Sequence, residues 1–223
     1  MGEQVFLPNG KSTTLWIVAQ DLVEIDYVDV MTPFGQIRRY GSINDTFFAT
    51  TLTLTPAQLR SYGVTANDEA CVYLRIHFED GNDAISAPIW FKDRTYVSGT
   101  QPEDWVWTED RSPYIISGAF TIPASRTLTV EPGVVVKFER LSSPWNDIRS
   151  RIYLYGNLRI AGQAGAPVTF TSEHDNSVGG ITGSGSPTVG EWYGIRVLES
   201  GATIEAEHCV VKFAGIGFYK NDY

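Results

Sequence analysis

The sequence has few cysteines, few helix signals and no long apolar run. Only two of its 223 residues are cysteine, Cys71 and Cys209, and two cysteines alone do not make a structural zinc site. Both lie in runs typical of β-strands, so we expect two unpaired thiols that pack as small apolar side chains. No apolar run approaches the roughly 18 residues that a spanning helix needs, which argues against membrane insertion.

Positive charge is also scarce. Lys and Arg total 17 against 26 Asp and Glu, which gives a formal net charge of −9. An acidic chain with no basic cluster along its sequence is a poor candidate for binding nucleic acid or an anionic membrane, because both require neutralising cations. Apolar residues make up 43% and aromatic residues 13% of the chain, so there is enough material for a core and global disorder is not expected.

The residue pattern predicts an all-β protein. One segment, LTPAQLRSYG, has helix signals: Thr55 can cap, Pro56 suits the first helical position and Gly63 can end the helix. In CVYLRIHF the apolar residues alternate with polar ones, as in a strand with one wet face. Further strands over residues 1–92 are expected near 14–20, 23–30, 36–40, 46–54, 70–78 and 84–91.

This strand count and turn spacing predict an antiparallel, immunoglobulin-like β-sandwich over residues 1–92. Its last strands, VYLRIHFEDGNDAISAPIWF, resemble the closing hairpin of β-sandwich domains attached to larger bacterial proteins. Residues 93–113 are polar and contain two prolines, which predicts a linker that leads into a second domain. Trp105 and Trp107 are costly to leave in water, so we expect them to pack on one end of that second domain.

Residues 114–223 carry a repeat. TLTVEPGVVVKF (127–138) and ATIEAEHCVVKF (202–213) share one plan, and Gly194-Ile195 returns at Gly215-Ile216, a step of 215 − 194 = 21 residues. A short unit that recurs with insertions is typical of a solenoid. The segments divide into about three coils of three short strands each, and IGFY opens a fourth. Two polar insertions, ERLSSPWNDIRS and EHDNSVGGITGSGSPTVGE, are expected to protrude as loops.

The segments TLTVEPGVVVKF, GNLRIAGQAGAPVTFTS and WYGIRV resemble the right-handed parallel β-helix repeat of bacterial and archaeal surface and secreted proteins. The resemblance covers about residues 105–223. It implies a right-handed parallel β-helix and an extracellular or cell-surface location. It does not decide the activity, because this family includes polysaccharide lyases and hydrolases, phage tailspikes, adhesins and structural proteins.

The sequence contains few residues that could bind a metal ion or a sugar. In EDGND, Asp80, Asn82 and Asp83 have the oxygen-rich look of a calcium loop, although a tight hairpin explains the same residues and the spacing of a calcium hand is missing. Calcium is therefore the one cofactor considered. Trp145, in a predicted protruding loop, is the candidate for stacking on a sugar ring.

Two further groups are weighed as catalytic and set aside. Glu205 and Glu207 alternate on one strand near His208, which suits either a carboxyl pair or a solvated outer face. His174 and Asp175 open a Gly/Ser-rich insertion, where a base or a metal ligand is one reading and a polar loop is the other. No catalytic residue is therefore assigned.

A β-helix that stops within a coil exposes unpaired backbone groups, and such an edge recruits other strands. We expect a homo-oligomer, or the continuation of a longer β-helix. The expected assembly residues are Gly215, Ile216, Phe218, Tyr219, Val5, Phe6 and Leu7. The sequence thus predicts a non-enzymatic extracellular structural or adhesive protein that self-assembles head to tail. The alternative is a carbohydrate-binding or polysaccharide-processing β-helix protein, a lyase or hydrolase, of which this chain is a fragment.

Overall fold

The structure, a computed structural model, describes residues 4–7, 11–62, 70–140 and 149–220. The chain divides into two compact units, residues 1–93 and 94–223. Both are built from β-strands, with one short α-helix in the first unit. Among the described residues, no helix has the length and apolar character needed to cross a membrane.

The first unit is a seven-stranded sheet in which strand β2 is the longest element. Its first half pairs with β4 and its second half with β5, and a register shift between Gln20 and Ile25 separates the two halves. The two strands that the sequence predicts, near 14–20 and 23–30, are the two halves of this one long strand. The elements are β1 (Gln4–Phe6), β2 (Thr13–Thr32), β3 (Gly35–Tyr40), β4 (Asp45–Leu54), α1 (Pro56–Ser61), β5 (Ala70–Phe78), β6 (Asp83–Ile85) and β7 (Ile89–Lys92).

Hydrogen bonding is continuous across this unit. Strand β5 pairs with β7 at one end and with β2 along the rest, and so connects the pair β1–β7 to the strands around β2. Strand β1 lies parallel to β7 and is the exception to an otherwise antiparallel arrangement. The apolar side chains of one face pack together as the core, including Ile25, Val28 and Val30 at 0% exposure, so the sheet must curl around them.

Two polar features of the first unit follow from its residues. Helix α1 has the predicted cap: Thr55 Oγ1 accepts from the Gln58 amide at 3.2 Å, and the Gln58 side chain accepts from the Thr55 amide at 2.9 Å. On β2, the fully buried carboxylate of Asp29 accepts two hydrogen bonds from Arg39 and one from Arg75, at 2.7–2.8 Å. Every acceptor oxygen of this buried charge is therefore in contact with a guanidinium.

The second unit is built from parallel strands only. Each inner strand pairs with the strand one coil before it and one coil after it, and the strands at either end of the stack pair on one side within the described residues. Its elements are β8 (Thr95–Thr100), β9 (Trp105–Trp107), β10 (Tyr114–Ile122), β11 (Thr127–Val130), β12 (Val135–Phe138), β13 (Arg151–Leu154), β14 (Asn157–Ala161), β15 (Val168–Ser172), β16 (Gly194–Val197), β17 (Thr203–Glu207), β18 (Cys209–Val211) and β19 (Phe218–Lys220).

These strands form three faces of a stack. Face 1 contains the first part of β10 with β12, β15 and β18, face 2 contains the rest of β10 with β13, β16 and β19, and face 3 contains β9, β11, β14 and β17. Gly118, at φ +73°, separates the two parts of β10, a conformation that glycine adopts without strain. The paired strands lie in the segments that the sequence assigns to three-stranded coils, and β19 lies in the segment that opens a fourth.

The segment 93–113, predicted as a linker and an entry to the β-helix, contains two strands of the stack. Strand β8 pairs with β10, and β9 pairs with β11. As expected, both tryptophans pack on the next coil: Trp107 stacks on Tyr114 with ring centroids 4.6 Å apart, and Trp105 lies 5.9 Å from the Phe120 ring. The polar residues of this segment lie between short strands, and the two indoles supply the apolar surface that a first coil must bury.

The second insertion does not protrude as predicted. Val136 and Phe138 of β12 point into the core, so Lys137 between them points outward, yet its exposure is 0%. Its ammonium donates to the carbonyl oxygens of Asp175 and Gly180 and to Thr182 Oγ1, at 2.7–2.9 Å. The insertion, residues 173–191, therefore covers the outer side of face 1. The other predicted loop lies largely at residues 141–148, outside the described residues.

Candidate functional site

The predicted calcium turn is a satisfied hairpin. The Asp80 carboxylate accepts from the backbone and side-chain amides of Asn82, at 3.0 and 2.8 Å, and these bonds lower the pKa of Asp80. Asp83 lies 2.6 Å from the Nδ1 atom of His77. Among the described residues, no three His, Cys, Asp or Glu side chains form a group that would hold a metal. Calcium at this turn stays a prediction.

The two groups weighed as catalytic lie in different surroundings. Glu205 and Glu207 lie exposed on β17, and Glu205 faces Arg159 across the strands, which is typical of a solvated outer face. His174 contacts Glu191, with 3.1 Å between Nδ1 and Oε2, whereas Asp175 accepts from Thr171 Oγ1 at 2.8 Å. The adjacent His174 and Asp175 side chains therefore have different partners.

These contacts fasten the insertion to the stack. Burial alone would raise the pKa of Asp175, but hydrogen bonds from Ser177 and Thr171 hold it below its usual value. The Glu191 carboxyl is also buried, and hydrogen bonds from Ser172, His174 and Thr188 lower its pKa in the same way. Because both carboxylates accept hydrogen bonds from hydroxyl or imidazole groups, this cluster holds the insertion against face 1.

The predicted assembly residues fall into two places. Ile216, Phe218 and Tyr219, in and beside β19, are 40–42% exposed, and no described strand pairs with the outer edges of β17, β18 or β19. Gly215 lies in the same coil, and its amide donates to the Trp192 carbonyl at 2.8 Å.

The N-terminal assembly residues complete the chain's own sheet. Val5 and Phe6 belong to β1, next to β7. Leu7 is 3% exposed, and its amide donates to the Lys92 carbonyl at 2.7 Å. Donation of this strand to another copy would therefore exchange contacts that it already makes, and it stays a prediction.

The remaining predicted positions contribute no site. Trp145 lies outside the described residues. Cys71 and Cys209 form no disulfide and lie in different units, in agreement with the expected unpaired thiols. Burial raises the pKa of the Cys209 thiol to about 11, so its reactive thiolate form is scarce at neutral pH.

The most distinctive surface is the outer side of face 2. Ile152 of β13 and Ile195 of β16 are buried in the core, so the residues that alternate with them point outward. In register, Tyr153 of β13 lies beside Arg196 of β16, which lies beside Tyr219 of β19. We define the arginine–tyrosine face as Arg149, Arg151, Tyr153, Tyr193, Arg196 and Tyr219.

Cation–π contacts organise this face. The Arg151 guanidinium carbon lies 4.8 Å from the centroid of the Tyr193 ring and 5.8 Å from that of Tyr153. Arg149 lies 5.1 Å from the Tyr193 ring. Such contacts hold a guanidinium in place while its charge still attracts an anion. The face thus contains ordered aromatic rings and guanidinium groups on neighbouring strands, which lie ~4.8 Å apart.

The electrostatics of the face differ from those of the whole chain. None of the residues in the four strand segments of face 2 is acidic, although the formal net charge of the chain is −9. The Nε atom of Arg196 is buried and has no hydrogen-bond partner among the described residues.

Sequence reasoning found no basic cluster because Arg196 is far along the chain from Arg149 and Arg151. Coiling brings Arg151 and Arg196 onto adjacent strands. A signal was present in RIYLY, where Arg151, Tyr153 and Tyr155 alternate with core aliphatics, and in IRV, where Arg196 lies between two core aliphatics. In a strand this alternation places them all on the outer side.

Comparisons with known proteins add little to this geometry. No known family model matches the chain, and no curated protein matches it. Among solved structures, the crystal structure of pectate lyase Pel3 from Pectobacterium carotovorum aligns over 100% of this chain and 86% of its own, with 10% sequence identity and a TM-score of 0.25. A likeness this loose carries no argument, and the strand pairings alone establish the stack of parallel coils.

Proposed function

We propose that this chain is a non-enzymatic adhesive protein, located outside the cell or on its surface, that binds an acidic polysaccharide on the arginine–tyrosine face. The observation that carries the proposal is the ladder Tyr153, Arg196, Tyr219 on adjacent coils, flanked by Arg151 and Tyr193. In this proposal the stack is a right-handed parallel β-helix, and the first unit is an immunoglobulin-like sandwich, as the sequence resemblances imply.

The chemistry of the two residue types suits one ligand class. A guanidinium donates two parallel hydrogen bonds to a carboxylate, and a tyrosine ring packs against the apolar face of a sugar. A linear uronic-acid polymer presents both features repeatedly. Because the face repeats along the coils, such a polymer engages successive residues as it runs along the stack.

Charge also favours an anionic ligand at this place. Arg196 brings a positive charge to the outer side of face 2, whose strand segments contain no acidic residue, on a chain with a net charge of −9. Such a local charge orients an anion toward that place. A neutral glycan would gain the stacking contacts alone. Binding is therefore expected to weaken as salt is raised.

Titration calorimetry with a polyuronate and with a neutral glucan of equal length tests the proposal. We expect the wild type to bind the polyuronate, and Arg196→Gln or Tyr153→Ala to weaken binding at least about tenfold, the loss of one charge-assisted or stacking contact. Arg159→Gln is the matched control, because Arg159 is exposed on β14 of face 3 and should leave binding unchanged.

Three results would overturn the proposal. They are the absence of polyuronate binding, equal affinity for the neutral glucan, and equal loss in the Arg159→Gln control. Chain cleavage of the polyuronate, assayed with and without calcium, would show instead that the protein is a polysaccharide-processing enzyme.

A second candidate function is assembly through the coil of β17, β18 and β19. The exposed Ile216 and Phe218 beside its open strand edges support it, since an unprotected edge accepts another strand. In this reading the coil of one copy stacks on a further coil, which yields head-to-tail oligomers. Negative-stain electron microscopy should then show filaments or rings that Phe218→Lys abolishes; uniform monomers would exclude this candidate.

A further inference from the structure

Strand β4 of the first unit has one paired edge and one open edge. It pairs with β2 in unbroken antiparallel register, from Leu54 opposite Thr13 to Phe47 opposite Gln20. Within the described residues, no strand lies along its other side. A row of backbone N–H and C=O groups is therefore available to another strand.

This open edge lacks the protection that sheet edges usually have. Residues 46–54, TFFATTLTL, contain no charged residue, no proline and no glycine, and the paired register over this stretch shows no bulge. Natural edges are blunted by Lys, Pro, bulges or short length. A long, uncharged run of strong β-formers is instead the sequence type that pairs with its own kind.

The side chains next to this edge are also unusually apolar. Trp16 and Val18 of β2 are 82% and 59% exposed, and Phe47 of β4 is 50% exposed. Their cross-strand neighbours on the same face are Thr51, Ala49 and Gln20, all uncharged. An exposed apolar patch of this kind marks an interaction surface.

We propose that a second copy of this chain adds its own β4 antiparallel to this edge, around a two-fold axis at Thr50. This inference goes beyond the proposed function and does not depend on it. In that register Phe48 lies opposite the partner's Leu52, and Ala49 lies opposite the partner's Thr51. Each pair between residues 46 and 54 is uncharged. The apolar side chains of the two β4 strands then lie on the same face of the joined sheet.

A copy suits this edge better than an unrelated ligand does. Two chains that each carry a net charge of −9 repel over most of their surface, so self-association requires a place where neither brings charge. The nine residues 46–54 provide one. The two-fold arrangement closes on itself, because each copy offers one such edge and the pairing uses both.

Size-exclusion chromatography with light scattering, over a dilution series from micromolar to submillimolar, tests the inference. We expect the wild type to change from monomer to dimer with concentration. The double variant Phe47→Lys with Thr51→Lys places like charges at diagonal positions across the new pair, within reach of long side chains, and it should raise the dimer dissociation constant at least about tenfold. Both positions are exposed, so the fold should persist, which circular dichroism checks.

The control is Val18→Lys, on the same face but on the inner strand. It should leave the dimer intact, because β2 does not form the edge. Equal loss in this control would overturn edge pairing and indicate that the face itself docks a ligand or a copy. A wild type that is monomeric throughout would also overturn it, as would a dimer that Phe218→Lys dissociates and the double variant does not.

Discussion

Lys137 gives the sharpest prediction about the second unit. Its ammonium is fully buried and holds the insertion 173–191 through three hydrogen bonds. Burial lowers its pKa from 10.5 to about 8, because the charged form loses its water. Between these two values the unfolded chain binds a proton that the folded chain has released, so the free energy of unfolding rises with pH.

The size of the effect follows from the two pKa values. The protonated folded state is disfavoured by about 3 kcal/mol relative to a lysine in water. Between about pH 7.5 and about pH 9.5, the free energy of unfolding should rise by about 2 kcal/mol from this residue alone. In Lys137→Met that increase disappears, although at neutral pH the lost hydrogen bonds and the relieved burial of charge largely offset each other.

Urea unfolding at the two pH values, for wild type and Lys137→Met, measures the difference. Lys11→Met is the matched control, because Lys11 is exposed and should keep the wild-type response. If wild type and Lys137→Met gained the same stability on going to the higher pH, the buried ammonium would not be the source and the reasoning would be refuted. Limited proteolysis of the insertion gives an independent readout.

Three further substitutions are expected to destabilise the fold by separate mechanisms. Asp29→Asn leaves two guanidinium groups facing a neutral amide and should lower the free energy of unfolding by about 2 kcal/mol at neutral pH. In the wild type, the hydrogen bond from Arg39 is the main cause that holds the pKa of Asp29 below 3.8. The stabilisation by Asp29 should therefore be lost as the pH falls through that lowered pKa. Gly194→Ala places a Cβ atom 1.8 Å from the Ile216 carbonyl oxygen at φ +141°, so hydrogen exchange in β19 should accelerate. Trp192→Phe removes the indole donor to the Lys212 carbonyl at 2.9 Å and should cost about 2 kcal/mol in thermal unfolding.

Each expectation has an outcome that contradicts it. If Asp29→Asn had the wild-type free energy of unfolding and the wild-type dependence of that free energy on acid pH, the ion pairs would contribute nothing to stability. Unchanged amide exchange in β19 would mean that the coil relaxes around the new methyl group of Gly194→Ala. A Trp192→Phe protein that unfolds at the wild-type temperature would assign the packing entirely to ring stacking on Phe138, whose centroid lies 3.8 Å away.

The coils could be predicted from the sequence because their signals are local. Alternation places Val136 and Phe138 inward, and Gly, Pro and Asn turn the corners within a few residues. Repetition of the pattern then implies stacking, since one coil cannot bury its own apolar side. The same motif still takes different roles: Phe138 is fully buried, whereas Phe213 has φ +59° and is half-buried.

The features that the sequence did not predict depend on contacts between residues that are distant along the chain. The composition of the insertion, rich in Gly and Ser, indicates a solvated loop. Its contacts with Lys137, Thr171 and Ser172 hold it against face 1. The segment 93–113 resembles a linker because it is polar and contains two prolines. The arginine–tyrosine face required the register that places Arg196 beside Tyr153, which no local pattern specifies.

The direction of the strands has a mechanical consequence. Every strand of the second unit runs around the stack, so the hydrogen bonds between coils point along its long axis. Tension along that axis opens these bonds a few at a time and unwinds the outermost coil first. A pull across the axis, as from a polymer dragged sideways over the arginines, instead loads many bonds together. The stack should therefore resist shear far better than peeling, and each released coil lengthens the tether before the next one yields.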